Sequence, residues 1–514
     1  MTQDSHAFTG TETRNITLYI IGIMTYKFSL ETMNACMSGI VLNRLAQSAG
    51  PGVVWANLVG INLGCQCLGS LLVGPLVKRY QAKNVLSLAI LLFGIAVVTI
   101  PILEGATGGT IPAVLNKGSS IKSTWGGWTP YLIFVFFPLA GIFHGMVELM
   151  RRVIPADLVG GDALKLKRLD ATVHIFYEIT GTAGAILASI WISYFGWGFA
   201  LGLLPVGFTL SSCIWFLITT RPERIKLHEE FKQAERDIPF GQRLGAVVYS
   251  FFHSVYLGAR LVCSQRALVW LLPAYTLPLV LHRYLENTLA PFYAKSVLGN
   301  SDMQTIMVGG SNFGELLGAL TVLLLARQVK TPIPFLRLDA ILLLLIWALP
   351  FIPVDKSDIV GFTWKLTPLM ATISFGWAAG DVSLAAFVQS RLEDYANIDK
   401  YTSPLSAVMS FLYVAYLLAF YILNLLMGTV RDDFVLNNKS LRDLFIYIGG
   451  VFMTLAGIVI VASTFIPRGS FAMNPDPDTV EFNDDIQVTG IDKKPADEKK
   501  GELDDTKVVS LIAA

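Results

Sequence analysis

Four pairs of residues, each a cation or imidazole followed four positions later by glutamate, sit inside apolar stretches of this chain. They are Lys27 and Glu31, His144 and Glu148, His174 and Glu178, and His282 and Glu286. On a helix, positions i and i+4 stack on one face, so each pair is a candidate hydrogen bond or ion pair. A charge at mid-bilayer costs about 2.5 to 3.5 kcal/mol, so several in one chain must face each other or a wet cavity. The chemistry this predicts is proton or ion handling along a polar route through a membrane.

Depth divides the pairs. Lys27 and Glu31 fall near the middle of one apolar span, and His282, Arg283 and Glu286 near the middle of another, with Asn34 and Asn287 close by and Glu315 on a neighbouring span. These eight residues are the candidates for substrate and proton coupling. His144, Glu148, His174 and Glu178 lie nearer the cytoplasmic span ends, and with Arg79, Lys83, Arg151 and Asp381 they predict a gate or bracing network. Asp339 and Lys365 sit close to span ends, where snorkelling would satisfy them. Histidine beside carboxylate also suits a divalent metal, with His282, Glu286 and Glu31 as three ligands, although Lys27 and Arg283 would repel the cation. No serine, cysteine or metal constellation completes a catalytic set around a His/Glu pair, so an enzyme is not expected.

The elements that must carry these residues follow from composition. Hydrophobic residues make up 53% of the 514, charged residues only 15%, and mean hydropathy is +0.57, values of a polytopic membrane protein. A helix needs about 20 mostly apolar residues to cross the hydrocarbon core. Such stretches lie near 17–44, 53–76, 84–106, 129–150, 169–195 and 198–219, then near 267–295, 303–327, 335–354, 361–388, 402–429 and 441–467. The fold class predicted is an all-α membrane protein of twelve transmembrane helices, six plus six. Lysine and arginine collect in the connections on one side, including Lys78, Arg79, Lys83, Arg151, Arg152 and the central loop, which predicts that both termini and that loop are cytoplasmic.

The domain plan is a cytoplasmic tail (1–16), a six-helix bundle (17–219), a cytoplasmic central loop (220–266), a second bundle (267–467) and a polar, disordered tail (468–514). In the loop, Phe251, Phe252, Val255, Tyr256 and Leu257 with Arg243, Arg260 and Arg266 read as a helix lying on the membrane face. No glycine-rich phosphate loop, cofactor motif or basic patch for nucleic acid is present in the sequence, and the net charge is only +1. The five cysteines read as free thiols, four of them within apolar spans.

The halves repeat. Gly60, Asn62 and Gly64 in span 2 recur as Gly310, Asn312 and Gly314 in span 8, and Gly141, Gly145 and Leu149 in span 4 as Gly376, Gly380 and Leu384 in span 10. Glycines four apart serve helix packing in any bundle. Their common order in both halves predicts two bundles related by an axis along the membrane normal, with a site between them.

With twelve spans, a cytoplasmic central loop and the segment Gly74-Pro-Leu-Val-Lys-Arg-Tyr-Gln-Ala-Lys83 between spans 2 and 3, the chain resembles the major facilitator superfamily. Gly74, Leu76, Arg79 and Lys83 match that family's pattern there, while Lys78 stands where its aspartate is usual. The resemblance implies that spans 1 and 7 line the central cavity, which makes Glu31 and Glu286 pseudo-symmetric. It implies a secondary active transporter of a small solute by alternating access, monomeric, in the plasma membrane or an endomembrane; desolvated glutamates beside cations, whose opposed effects can place titration in a useful range, predict protons as the coupling ion. The alternatives are a membrane sensor that keeps the fold, and a divalent-metal transporter.

Overall fold

The computed structural model describes residues 8–45, 50–111, 125–159, 163–220, 225–226, 229, 240–325, 328–329, 331–392 and 404–475. Every regular element among the described residues is helical. The first half holds α1 (Gly10–Arg44), α2 (Pro51–Arg79), α3 (Ala82–Ala106), α4 (Ile133–Val159), α5 (Ala163–Ala200) and α6 (Leu204–Phe216). A separate α7 (Phe240–Ser264) precedes the second half. There α8 (Leu271–Tyr284) runs through a π turn at Leu285–Leu289 into α9 (Ala290–Ser296), followed by α10 (Met303–Leu325), α11 (Ile333–Leu342), α12 (Ile359–Leu392) and α13 (Pro404–Leu436). Last come α14 (Leu441–Phe445), a π turn at Ile446–Val451 and α15 (Phe452–Ser463).

Among the described residues eight stretches are long and apolar enough to cross a membrane. One of them, Thr172–Phe216, makes two crossings because Gly196 adopts φ 73°, a left-handed turn that glycine adopts without a Cβ clash. Helices α1 and α12 fall outside that set because Lys27 and Glu31 in the first, and Lys365 and Asp381 in the second, lower their hydropathy, and α11 because it is short. The crossings are those of a twelve-helix membrane protein in two six-helix bundles.

Within the first half α1 packs on α5 and α6, and α2 and α3 pack on α4; within the second, α10 packs on α12, α8 on α13, and α11 on α12. The halves meet along α5 with α10 and α2 with α13. The repeated glycines serve these contacts unequally. Gly141 and Gly145 of α4 face the backbone of Asn62 and Gln66 on α2, whereas Gly310 and Gly314 of α10 face that of Thr367 and Ala371 on α12. Gly376 and Gly380 turn instead to Asp339 and Leu336 of α11, and Gly60 to Tyr421 across the halves. The sequence repeat therefore marks matching positions on the helices, not matching contacts.

Two ordered segments reach beyond the expected boundaries, and the central helix packs on one face. Helix α1 begins at Gly10 rather than 17, because Thr9 and Glu12 form a reciprocal capping box and Glu12 also pairs with Lys165 at 2.9 Å. At the other end residues 468–475 fold back: the Arg337 guanidinium donates to the carbonyls of Ser470 and Ala472, and Ser470 is buried. The remaining 476–514 lie outside the described residues. Helix α7 divides its apolar residues between two faces: Leu257, Leu261 and Val262 are buried beside α13, with Gly258 against the Ala407 carbonyl, while Tyr249, Phe252 and Tyr256 are exposed.

Candidate functional site

Gly10 and Ser463 mark one end of the bundle, here the near end; Arg44 marks the far end. Midway between them α1 and α8 bring their charged residues to the seam between the halves. The Lys27 ammonium donates to Glu31 and stands 4.5 Å over the Tyr177 ring. Across the seam Glu286 accepts from Ser311 at 2.8 Å and from Arg283 at 3.3 Å, and Ser311 also bonds Ser374 at 2.7 Å. Glu31 and Glu286 interact electrostatically, as do Glu178 of α5 and Glu315 of α10 with both Lys27 and Arg283. Four carboxylates thus converge with two cations at mid-membrane.

A cavity opens at this level, lined by Glu31, Asn34, Ser38, Trp55, Arg283, Glu286, Asn287, Gln304 and Thr305. Its volume is about 30 Å³, room for a water or two. Arg283 contributes the most open of these charges, with 46% of its side chain exposed.

Hydrogen bonds between the halves close the cavity toward the far end. Trp55 Nε1 donates to the Asn287 carbonyl at 2.6 Å, Ser38 to Gln304 Oε1 at 2.9 Å, Gln304 Nε2 to the Ala35 carbonyl at 3.0 Å, and Lys295 to Asn43 Oδ1 at 2.6 Å. The outermost closure is made by Asp432 of α13. Helix α2 is preceded by Gly50, which offers no side-chain cap, and the Asp432 carboxylate accepts from the backbone N–H of Gly52 at 2.9 Å and of Val53 at 2.8 Å. A carboxylate at a helix N-terminus fills orphan donors and meets the positive end of the dipole. Arg431 pairs with the same carboxylate at 2.8 Å.

The structure redistributes the expected residues. Lys27, Glu31, Asn34, Arg283, Glu286, Asn287 and Glu315 gather at or beside the cavity, joined by Glu178, which the sequence grouped with the gate. His282 does not join them. It points into the second half, where its Nε2 lies 3.0 Å from Asp339 Oδ1 and its ring stacks 5.5 Å from that of Trp377. His282 and Glu286 are nearly one helical turn apart, but the wall of α8 separates cavity from core, so the pair read from spacing does not form. Asp339, expected to snorkel, is fully buried instead. With His282 turned away, the three-ligand metal set dissolves, and among the described residues no three His, Cys, Asp or Glu side chains cluster as one.

The gate candidates form a brace inside the first half. Glu148 accepts from Tyr26 at 3.0 Å and pairs with Arg151 at 2.8 Å and His144 at 3.8 Å; Arg151 lies 4.2 Å over the face of Tyr177. Tyr177 therefore links the brace to Lys27. Lys83 donates to the Phe216 carbonyl at 3.2 Å, which ties α3 to α6 within one half rather than bridging two. His174 interacts across the seam with Asp381. The side chain of Arg79 lies outside the described residues. Trp55, Ser38, Gln304, Asp432 and Arg431 were missed in the sequence; their only signal was polarity within or beside apolar spans.

A family model described as Major Facilitator Superfamily matches residues 28–419. Among solved structures, the chain is similar to a D-xylose-proton symporter, at 14% identity and TM-score 0.57 over 91% of this chain and 99% of that one. It is also similar to the nucleoside transporter NupG, at 13% and 0.56 over 89% and 99%. A third is the peptide transporter POT in complex with sulfate, at 12% and 0.54 over 87% and 94%. No curated protein matches the sequence.

Proposed function

This chain belongs to the major facilitator superfamily, and from that membership we propose that it is a secondary active transporter moving a small solute by alternating access, driven by a proton gradient. The observation that carries the reading is the mid-membrane cluster between the halves, where Glu31, Glu178, Glu286 and Glu315 outnumber Lys27 and Arg283. An unbalanced negative charge held within the membrane is costly, so protons or a cationic group must enter as the protein cycles. The solute site is the cavity of Glu31, Asn34, Arg283, Glu286 and Asn287, beside Trp55 and Gln304. At about 30 Å³ it must widen to hold a solute, which fits a state caught between openings.

The solute class is an open choice among those named for the structural neighbours, a sugar, a nucleoside or a peptide. The bundles at 17–219 and 267–467 rock about this site, with both termini and the central loop in the cytoplasm and one chain sufficient. Reconstituted protein tested against radiolabelled sugars, nucleosides and dipeptides checks the reading. Uptake of one class should rise with an imposed proton gradient and fall with an uncoupler. Uptake that ignores the proton gradient but follows sodium would overturn proton coupling alone, and none across all classes would favour the sensor.

A further inference from the structure

Seven carboxylate side chains among the described residues are buried, and six of them have a cationic or imidazole partner. Glu12 pairs with Lys165, Glu31 with Lys27, Glu104 with Arg44, Glu286 with Arg283, Asp339 with His282 and Asp432 with Arg431. The seventh is Glu178, only 2% exposed, whose carboxylate forms no hydrogen bond or ion pair among the described residues and whose Oε2 is sealed from solvent. A second polar group waits nearby. Asn312 is also 2% exposed, its Nδ2 has no acceptor, and it lies 3.3 Å from the point where a Cβ on Gly181, one turn from Glu178, would stand. Its repeat mate Asn62 is satisfied on both sides, donating to the Phe137 carbonyl and accepting from Gln66.

We propose that Glu178 is the carboxyl that carries the coupling proton, with Asn312 positioned to bond it. An ionised carboxylate left unpaired in this setting is far costlier than a neutral acid. Glu178 is absent from the cavity lining, so a proton reaches it where a solute cannot. Binding forms one O–H bond on its carboxylate, and release to the opposite side breaks that bond and restores the anion. The charged groups facing it are Lys27 and Glu31 from α1, Arg151 from α4, Arg283 and Glu286 from α8, and Glu315 from α10. On its own helix stand Tyr177 and, one turn toward the near end, His174, itself opposite Asp381 of α12. Opening the seam between α5 and α10 changes which of these cations Glu178 meets, which is what couples its proton to the conformational cycle. Glu31 and Glu286 keep their own cations throughout and hold the cavity walls.

This assignment rests on the proton-driven reading, yet its test needs no solute. The full-length protein in proteoliposomes is treated with the hydrophobic reagent dicyclohexylcarbodiimide, which modifies protonated membrane carboxyls, and the label is mapped by mass spectrometry. Glu178 should take severalfold more label than Glu31 or Glu286, and its label should fall as pH rises. Infrared difference spectra on a pH jump should show a protonated-carboxyl C=O band that is lost in Glu178→Gln and kept in Glu31→Gln and Glu286→Gln. Label on Glu31 or Glu286 with none on Glu178, or a band that survives Glu178→Gln, overturns the proposal. If Glu178→Gln fails to fold, the labelling map of the unaltered chain decides alone. Proton-driven uptake that persists in Glu178→Gln refutes this assignment and leaves the transporter reading intact; a Glu178 band without any proton-driven uptake does the reverse.

Discussion

At the scale of the residue, burial decides which charges build and which work. His282 and Asp339 are almost wholly enclosed, and each keeps one unpartnered polar atom, Nδ1 and Oδ2. Removing one member of such a pair costs about 3 to 5 kcal/mol, while replacing both by apolar groups is often neutral. Asp339→Ala should therefore deplete folded protein in the membrane and lower its melting temperature in detergent, and His282→Leu combined with Asp339→Leu should recover most of both. Normal abundance with lost transport in Asp339→Ala would return the pair to the functional site. Asp302, in the loop before α10, behaves differently, since burial pushes its carboxyl up to about 6 from the usual 3.8. A folded value above the unfolded one means that the folded state binds the extra proton. Its contribution is thus greatest below 3.8 and is lost as pH rises through about 6. Melting temperature followed across that window should fall less with pH in Asp302→Asn than in the unaltered chain; parallel curves would refute the assignment.

At the scale of the element, α2 lacks a cap in its own half and takes one from the other. Gly50 and Gly52 leave room for this: Gly50 sits at φ 81°, and a Cβ on Gly52 would stand 2.7 Å from Asp432 Oδ1. Under the proposed alternating access the cap would exist only while the far end is closed, and so would bias the conformational equilibrium as well as the helix. Asp432→Asn keeps the shape and removes the charge, a loss of about 1 kcal/mol, which shifts the closed-to-open ratio roughly fivefold. A cysteine placed at Asn287 should react correspondingly faster with a membrane-impermeant thiol reagent from the far side. An unchanged rate would mean that Asp432 stabilises α2 alone.

At the scale of the whole molecule, an even number of crossings puts both termini on one side, and the basic connections choose which. Epitope tags at the N-terminus, near Lys232 and near Lys499 should all be reachable only after the membrane is permeabilised. A tag near Lys232 that antibodies reach on intact cells would break the six-plus-six arrangement. The two halves touch along α5 with α10 and α2 with α13, and every prediction about function depends on those two seams separating in alternation. Polar groups at the seams are therefore expected to exchange partners during the cycle, and those inside each half to keep theirs.

The sequence by itself determined the number of crossings, their near order and the family, and its spacing brought out the Lys27–Glu31 and Arg283–Glu286 contacts, because hydrophobic length and helical spacing are local properties. It also placed the break between spans 5 and 6 within two residues of Gly196. Spacing failed where it had to name a partner across space. The four-residue interval that correctly joined Lys27 to Glu31 also suggested His282 with Glu286 and His174 with Glu178, although the first histidine faces Asp339 and the second glutamate faces no cation of its own. Only the tertiary structure decided which face of each helix met the seam and which the core. That choice depends on the rotation of every helix against its neighbours, set by glycine contacts such as Gly145 on Gln66 and Gly314 on Ala371 that no single span contains.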